Sequence, residues 1–74
     1  MQKVTYDEMS NAIAVYGISN NAGLAILNIE YGIEDYVIYA DPLDYKHRAK
    51  IYYTDRPYFM YGRMRVNLDE CIRV

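Results

Sequence analysis

One cysteine, Cys71, and one histidine, His47, are all the cross-linking chemistry that 74 residues carry. An internal disulfide needs two cysteines, and a structural zinc ion takes four ligands, mostly Cys and His. A chain this short buries only a modest share of its surface, and such scaffolds usually rely on a staple, a metal or a partner. Without a disulfide or a zinc site, the fold must rest on an unusually effective core or on self-association. No cofactor is expected, and the length fits a single domain, 1–74.

The material for that core is aromatic. Ten tyrosines and Phe59 supply every ring, since there is no tryptophan. A tyrosine ring buries a large apolar area, but its hydroxyl needs a partner or water. Ten cannot all sit centrally in so small a body, so several should be half-exposed. Tyrosine favours strands, and it is also enriched where proteins touch one another.

Hydrophobic periodicity gives an element order. Thr5 and Glu8 form the T-x-x-E capping box, and Val4 and Met9 stand at the positions of a hydrophobic staple. Tyr6, Met9, Ile13 and Tyr16 follow helical spacing, and Gly17 can end the helix, with Ile18 reaching back to Ile13. These signals predict a helix over 5–16. Ser19 to Gly23 reads as a loop. The period then changes to two. Residues 24–31 place Ala25, Leu27, Ile29 and Tyr31 on one face, with Asn28 and Glu30 on the other. Residues 32–35 read as a hairpin turn and 36–40 as a second strand. Asp41 to Asp44 reads as a turn with proline at its favoured position. Residues 47–54 and 58–66 make two further strands, broken by a tight turn or bulge at Gly62. Asn67 and Glu70 can cap one or two final helical turns. The sequence therefore predicts an α+β fold: an N-terminal helix packed on a four-stranded antiparallel sheet, then a short C-terminal helical turn. The expected core is Met9, Ile13, Leu27, Ile29, Val37, Ile51, Met64, Val66, Leu68 and Ile72.

Charge is unevenly spread. Residues 1–45 hold one base and seven acids, residues 46–74 seven bases and three acids, for an overall −2. An acidic and a basic surface would follow, unless the two halves interleave and neutralise each other. No signal-peptide core and no apolar run near the ~18 residues of a membrane span is present. A lone thiol without export signals fits the cytoplasm.

Catalytic signatures are missing. There is no glycine-rich phosphate loop, no G-x-S-x-G and no paired Cys or His. The segment Asp41-Pro-Leu-Asp-Tyr-Lys-His47 is the densest polar cluster, but its spacing fits no acid–base mechanism, and a turn explains Asp and Pro there. The chain therefore reads as a non-enzymatic binding protein. The expected contact surface is Tyr52, Tyr58, Tyr61, Arg63 and Arg65, with Glu34 and Asp35 as an acidic second site. A protein partner is expected first. A nucleic acid is the alternative, since bases can stack on tyrosines while arginines follow phosphates, although "RPYFMYGR" does not match the RNP1 octamer. Small size and open sheet edges also suggest a homodimer.

In length, tyrosine content, α+β pattern and lack of any catalytic motif, the chain resembles the small accessory proteins of phages and mobile elements. That class includes anti-CRISPR and antirestriction proteins. The resemblance implies an inhibitor that blocks a host defence nuclease complex, and it assigns no role to individual residues.

Overall fold

The computed structural model describes residues 2–17 and 23–74. It is built mostly of strands, so the expectation of a long helix on four strands is overturned. Strands β1 (Gln2–Lys3), β2 (Ala14–Tyr16), β3 (Leu24–Glu30), β4 (Tyr36–Ala40), β5 (Tyr45–Lys50) and β8 (Ile72–Arg73) form one antiparallel sheet in the order β1-β5-β4-β3-β2-β8. Strands β6 (Tyr58–Tyr61) and β7 (Met64–Asn67) form a separate hairpin. A five-residue helix α1 (Tyr6–Ser10) and a 3-10 turn (Leu68–Glu70) complete the described elements.

The N-terminal helix starts where the sequence places it. Thr5 Oγ1 accepts from the Glu8 amide at 3.2 Å. It stops six residues early. The side chains of Ser10 and Asn11 both donate to the Asp7 carbonyl at 2.9 Å, competing for the acceptor that carries the helix forward. The following Ile-Ala-Val-Tyr run, rich in β-branched and aromatic residues, pairs with β3 instead: Ala14 opposite Ile26 and Tyr16 opposite Leu24. Tyr6, expected on the buried face, is 85% exposed. The contact from Ile18 and most of the 19–23 loop lie outside the described residues.

The core lies between one face of the sheet and the β6–β7 hairpin. Ala14, Tyr16, Leu24, Ile26, Val37, Tyr39 and Ile51 meet Phe59 and Val66 of the hairpin. Phe59, Leu24, Val37 and Val66 are completely buried. Two local features set which side chains face inward. Gly62 takes φ +59° in a two-residue loop joining Tyr61 to Met64, the first-position positive φ of a type II′ turn. The loop puts Phe59 and Tyr61 on the same face as Val66 and Met64, whereas one continuous strand would have sent Phe59 outward. In β3, a bulge at Leu27 shifts the register between Ile26 and Asn28. Ile26 and Ile29 both stay on the hairpin side, while Ala25 and Leu27 turn to the opposite face. There they form a smaller cluster with Val4, Ala12, Ala40 and Met9, under α1. The strict alternation expected for 24–31 is thus reversed before the bulge.

Of the expected core, Val37, Ile51 and Val66 are buried, and Met9, Leu27, Ile29, Met64 and Leu68 pack at its margins. Ile13 and Ile72 are exposed. At the C-terminal end Asn67 is extended and makes no capping bond to a backbone amide. After one 3-10 turn the chain becomes strand β8 and pairs with β2. No helix of the described residues is long and apolar enough to cross a membrane.

Candidate interaction surface

The sheet face turned away from the hairpin carries the even-numbered side chains of β5. Each cation there meets a carboxylate. Lys46 Nζ lies 3.1 Å from Glu8, Arg48 Nε 2.7 Å from Glu30, and Lys50 Nζ 3.2 Å from Glu34. The acids come from α1, β3 and the β3–β4 turn, so the acidic first half of the chain is laid against the basic second half. Arg56 likewise holds Asp69 and Glu70, at 2.8 and 3.1 Å. That arrangement raises the Arg56 pKa and holds the Asp69 carboxyl below its ordinary range. The charge asymmetry in the sequence is therefore largely cancelled in space. The groove of about 720 Å³ beside α1 is lined by the Lys46–Glu8 and Arg48–Glu30 pairs together with apolar Leu27 and Ile38.

Cations and rings alternate on the outer surface. The Arg48 guanidinium lies 3.6 Å from the centre of the Tyr36 ring. Farther along, Lys50 Nζ lies 5.5 Å over Tyr52, Tyr52 stacks on Tyr58 with centroids 5.2 Å apart, and Arg65 covers Tyr58 at 3.9 Å. The backbone builds this column. Tyr52 and Tyr58 exchange amide–carbonyl bonds of 2.8 and 3.1 Å, an isolated antiparallel bridge that joins the end of β5 to β6. Arg65 is held by Asn67 Oδ1 at 3.1 Å. Each exposed cation–ring contact contributes about 0.5–1 kcal/mol, so the column is ordered before any partner arrives.

Five of the seven expected site residues belong to two separate groups, and two stand apart. Tyr52, Tyr58 and Arg65 form the column. Arg63 is exposed on the β6–β7 loop, with no ion-pair partner among the described residues. Tyr61 points the other way. It is half-buried against the core, edge-on to Tyr39 at 5.8 Å and to His47 at 6.5 Å. The Gly62 turn decides this, because it puts Tyr61 on the inner face with Phe59. Glu34 and Asp35 sit together on the β3–β4 turn and are engaged internally. Tyr36 and Lys50 hydrogen-bond Glu34, and the Tyr53 hydroxyl and Gly32 amide donate to Asp35. Those donors keep both carboxyls below their ordinary pKa values. The acidic pair thus braces a turn.

No family model, curated protein or solved structure matches the chain. The chemistry must be read from the residues themselves. Among the described residues no group of three or more His, Cys, Asp and Glu side chains is placed to hold a metal. The Asp41–His47 pair, the one acid–base constellation in the sequence, is a brace. Asp41 is buried. Its Oδ1 accepts from the Leu43 and Tyr45 amides, both at 2.9 Å, and its Oδ2 lies 2.8 Å from His47 Nε2. The His47 ring stacks on Tyr39 at 4.9 Å. The hydrogen bond to His47 is the main cause of a lowered Asp41 pKa, and the two amides add to it. Cys71 is half-buried and its thiol is pushed up to about 11, chiefly by burial, which suppresses the reactive thiolate.

Sequence reasoning missed the residues that the turn at 31–35 displays. Ile33 is completely exposed, and Tyr31 and Tyr53 are mostly so. The available signal was an isoleucine placed inside a turn, where it has no strand face to join.

Proposed function

We propose that this is a non-enzymatic binding protein that acts by occupying a macromolecular partner, and that the partner is a protein. The observation that carries the reading is the outer column Lys50–Tyr52–Tyr58–Arg65, whose rings and cations are held in place by one another and by the Tyr52–Tyr58 backbone bridge. Exposed Met60, opposite Arg65 in the hairpin register, and Arg63, which has no ion-pair partner among the described residues, extend the surface beyond it. Aromatic and arginine anchors whose geometry is set in advance lose little conformational entropy on docking. The surface suits a patch on the partner that combines apolar area with carboxylates.

The nucleic-acid alternative has weaker support. The Tyr58 ring is already engaged by Tyr52 and by Arg65, so a base stacking there would compete with the contacts that build the column. The β5 cations are matched by carboxylates, which leaves few to release counterions on meeting phosphates. The likeness in size and style to phage accessory proteins adds the finer proposal that the partner is a host defence nuclease complex, held in a blocked state in the cytoplasm.

The test is a comparison of wild-type protein with a Tyr52→Ala/Arg65→Ala double variant and a Tyr6→Ala control in affinity capture from host lysate, read by quantitative mass spectrometry. A protein retained by wild type and control and lost from the double variant supports the proposal. Equal retention by all three refutes the site. Salt-sensitive binding of bare DNA or RNA by wild type, abolished in the double variant, would favour the alternative.

A further inference from the structure

The turn between β3 and β4 combines two properties that seldom occur together without a reason. It is tied down and it displays an uncovered apolar side chain. The Gly32 amide donates to Asp35 at 3.1 Å, the Tyr36 hydroxyl donates to Glu34 at 2.9 Å, and the Tyr53 hydroxyl donates to Asp35. Lys50 closes on Glu34 from the next strand at 3.2 Å. At the apex Ile33 touches nothing that shields it from water, and Tyr31 and Tyr53 flank it with most of their surface exposed. Ordering such a turn costs entropy, and that cost is already met in the isolated chain.

The same two tyrosines border a cleft on the hairpin side of the sheet. Its walls are Ile29, Pro57, Leu68 and Cys71, and Arg73 of the edge strand β8 stands beside them. The volume is about 260 Å³, below the ~300–1,000 Å³ of ordinary small-ligand pockets and of a size for a single branched side chain. Arg73 has no ion-pair partner among the described residues. The apex supplies the opposite charge, because Glu34 and Asp35 follow Ile33 directly.

We propose that the occupant of this cleft is Ile33 of a second copy, so that two chains exchange apices across a twofold axis. The neighbouring placement of apex and cleft favours this closure. A knob and a hole that share their flanking residues Tyr31 and Tyr53 can satisfy each other reciprocally, whereas a knob and hole on opposite sides of a molecule generate open filaments. The exchange also brings Glu34 and Asp35 of each copy toward Arg73 of the other, and it covers Ile33, Tyr31 and Tyr53, which the single chain leaves in water. Lys50 belongs both to the column and to the apex, but Tyr58 and Arg65 line neither apex nor cleft, so variants at those two residues separate this proposal from the partner-binding reading.

Sedimentation equilibrium of wild type, Ile33→Asp and Arg73→Glu tests it, together with maleimide labelling of Cys71, the single cysteine and a wall of the cleft. Ile33 packs against nothing in its own chain, so at concentrations where both proteins are monomeric Ile33→Asp should keep the wild-type circular dichroism spectrum and melting temperature. The expected result is a monomer–dimer equilibrium in wild type that ends at dimer, weakened by about 30-fold or more in Ile33→Asp and weakened to a lesser degree in Arg73→Glu. Cys71 labelling should slow as wild-type protein is concentrated and should stay constant in Ile33→Asp. A wild-type chain that remains monomeric at millimolar concentration overturns the proposal. So does a dimer that Ile33→Asp leaves intact, or assembly that continues past the dimer.

Discussion

Replacing Asp41 by alanine should be among the most damaging polar substitutions in this chain. One carboxylate closes the β4–β5 connection from three directions: two backbone amides on Oδ1 and the His47 ring on Oδ2. The turn it closes is unusual. Asp44 takes φ +67°, its amide returns to the Asp41 carbonyl at 2.9 Å, and its own carbonyl receives the Val4 amide that leads β1 onto the sheet. Alanine would leave two amides without their acceptor and His47 without its anchor. A stranded donor costs about 1–3 kcal/mol when buried. Leu43 and Tyr45 are exposed enough for water to replace part of the loss, so a total of about 2–3 kcal/mol is expected. The whole stability of a domain this size is only about 4–11 kcal/mol. In urea titrations followed by circular dichroism, with a slope of about 1 kcal/mol per molar, the midpoint should fall by about 2–3 M. Asp41→Asn keeps the Oδ1 acceptor but puts an Nδ2 donor where Oδ2 meets His47 Nε2, so it loses the charge and that acceptor together, for about 1–2 kcal/mol. Its pH dependence has a defined sign. The folded Asp41 pKa is depressed, first by His47 and then by the two amides. The charge therefore stabilises the fold fully above the unfolded value of about 3.9, and the contribution disappears as pH falls through the folded value. The gap between wild type and Asp41→Asn should be widest near neutral pH and should close in acid. A gap that stays constant from pH 6 to pH 2, or an Asp41→Ala midpoint within experimental error of wild type, would refute this account of the turn.

Two further outcomes follow from local geometry. Gly62→Ala should destabilise by about 1–2 kcal/mol through backbone conformation alone, since a Cβ there meets nothing within 4 Å; a destabilisation well beyond that in chemical denaturation would mean the loop is packed. Tyr53→Phe removes the main donor to Asp35, so the Asp35 carboxyl should titrate at higher pH than in wild type when followed by NMR, with the Gly32 amide as the remaining cause of depression; an unchanged titration would show that Tyr53 does not hold the apex.

The sequence made the middle of the fold readable and its two ends misleading. Strand alternation places Val37, Ile51 and Val66 in the core, and the turns at 32–35 and 41–44 carry glycine, proline and aspartate where turn geometry wants them. The segment 12–16 satisfied helical and strand spacing at once. Ala14 and Tyr16 alternate into the hairpin-side core as in any strand, Ala12 is buried in the cluster under α1, and the capping box upstream tips the reading toward a longer helix. What ended that helix was the Ser10-Asn11 pair bonding back to Asp7, a local competition that periodicity does not record. Tyr61 reads as a contact residue, but the two-residue turn at Gly62 sets it on the inner face with Phe59, and the bulge at Leu27 likewise reverses the faces at the start of β3. Strands β1 and β8 have two residues each, too few to leave any period. Of the expected contact residues, Tyr52, Tyr58 and Arg65 come together in the outer column, a grouping that strand alternation allows. The carboxylates that neutralise β5 were visible only as a charge imbalance along the chain, because their pairing depends on tertiary proximity.

The sheet order β1-β5-β4-β3-β2-β8 has a consequence for how the molecule assembles. The meander from β2 to β5 joins neighbours in sequence, so its loops close at small entropic cost. Each outer strand comes from the far end of the chain. β1 must reach β5, and β8 must return to β2 after the whole hairpin module has been laid down. Such distant pairings are slow to form, and they should be the last to form and the first to fray. Wherever β8 frays, the backbone of Ala14–Tyr16 is bare along one side, a template that another chain's strand can occupy. Protection from misassembly in this protein depends on how quickly two residues, Ile72 and Arg73, find that edge.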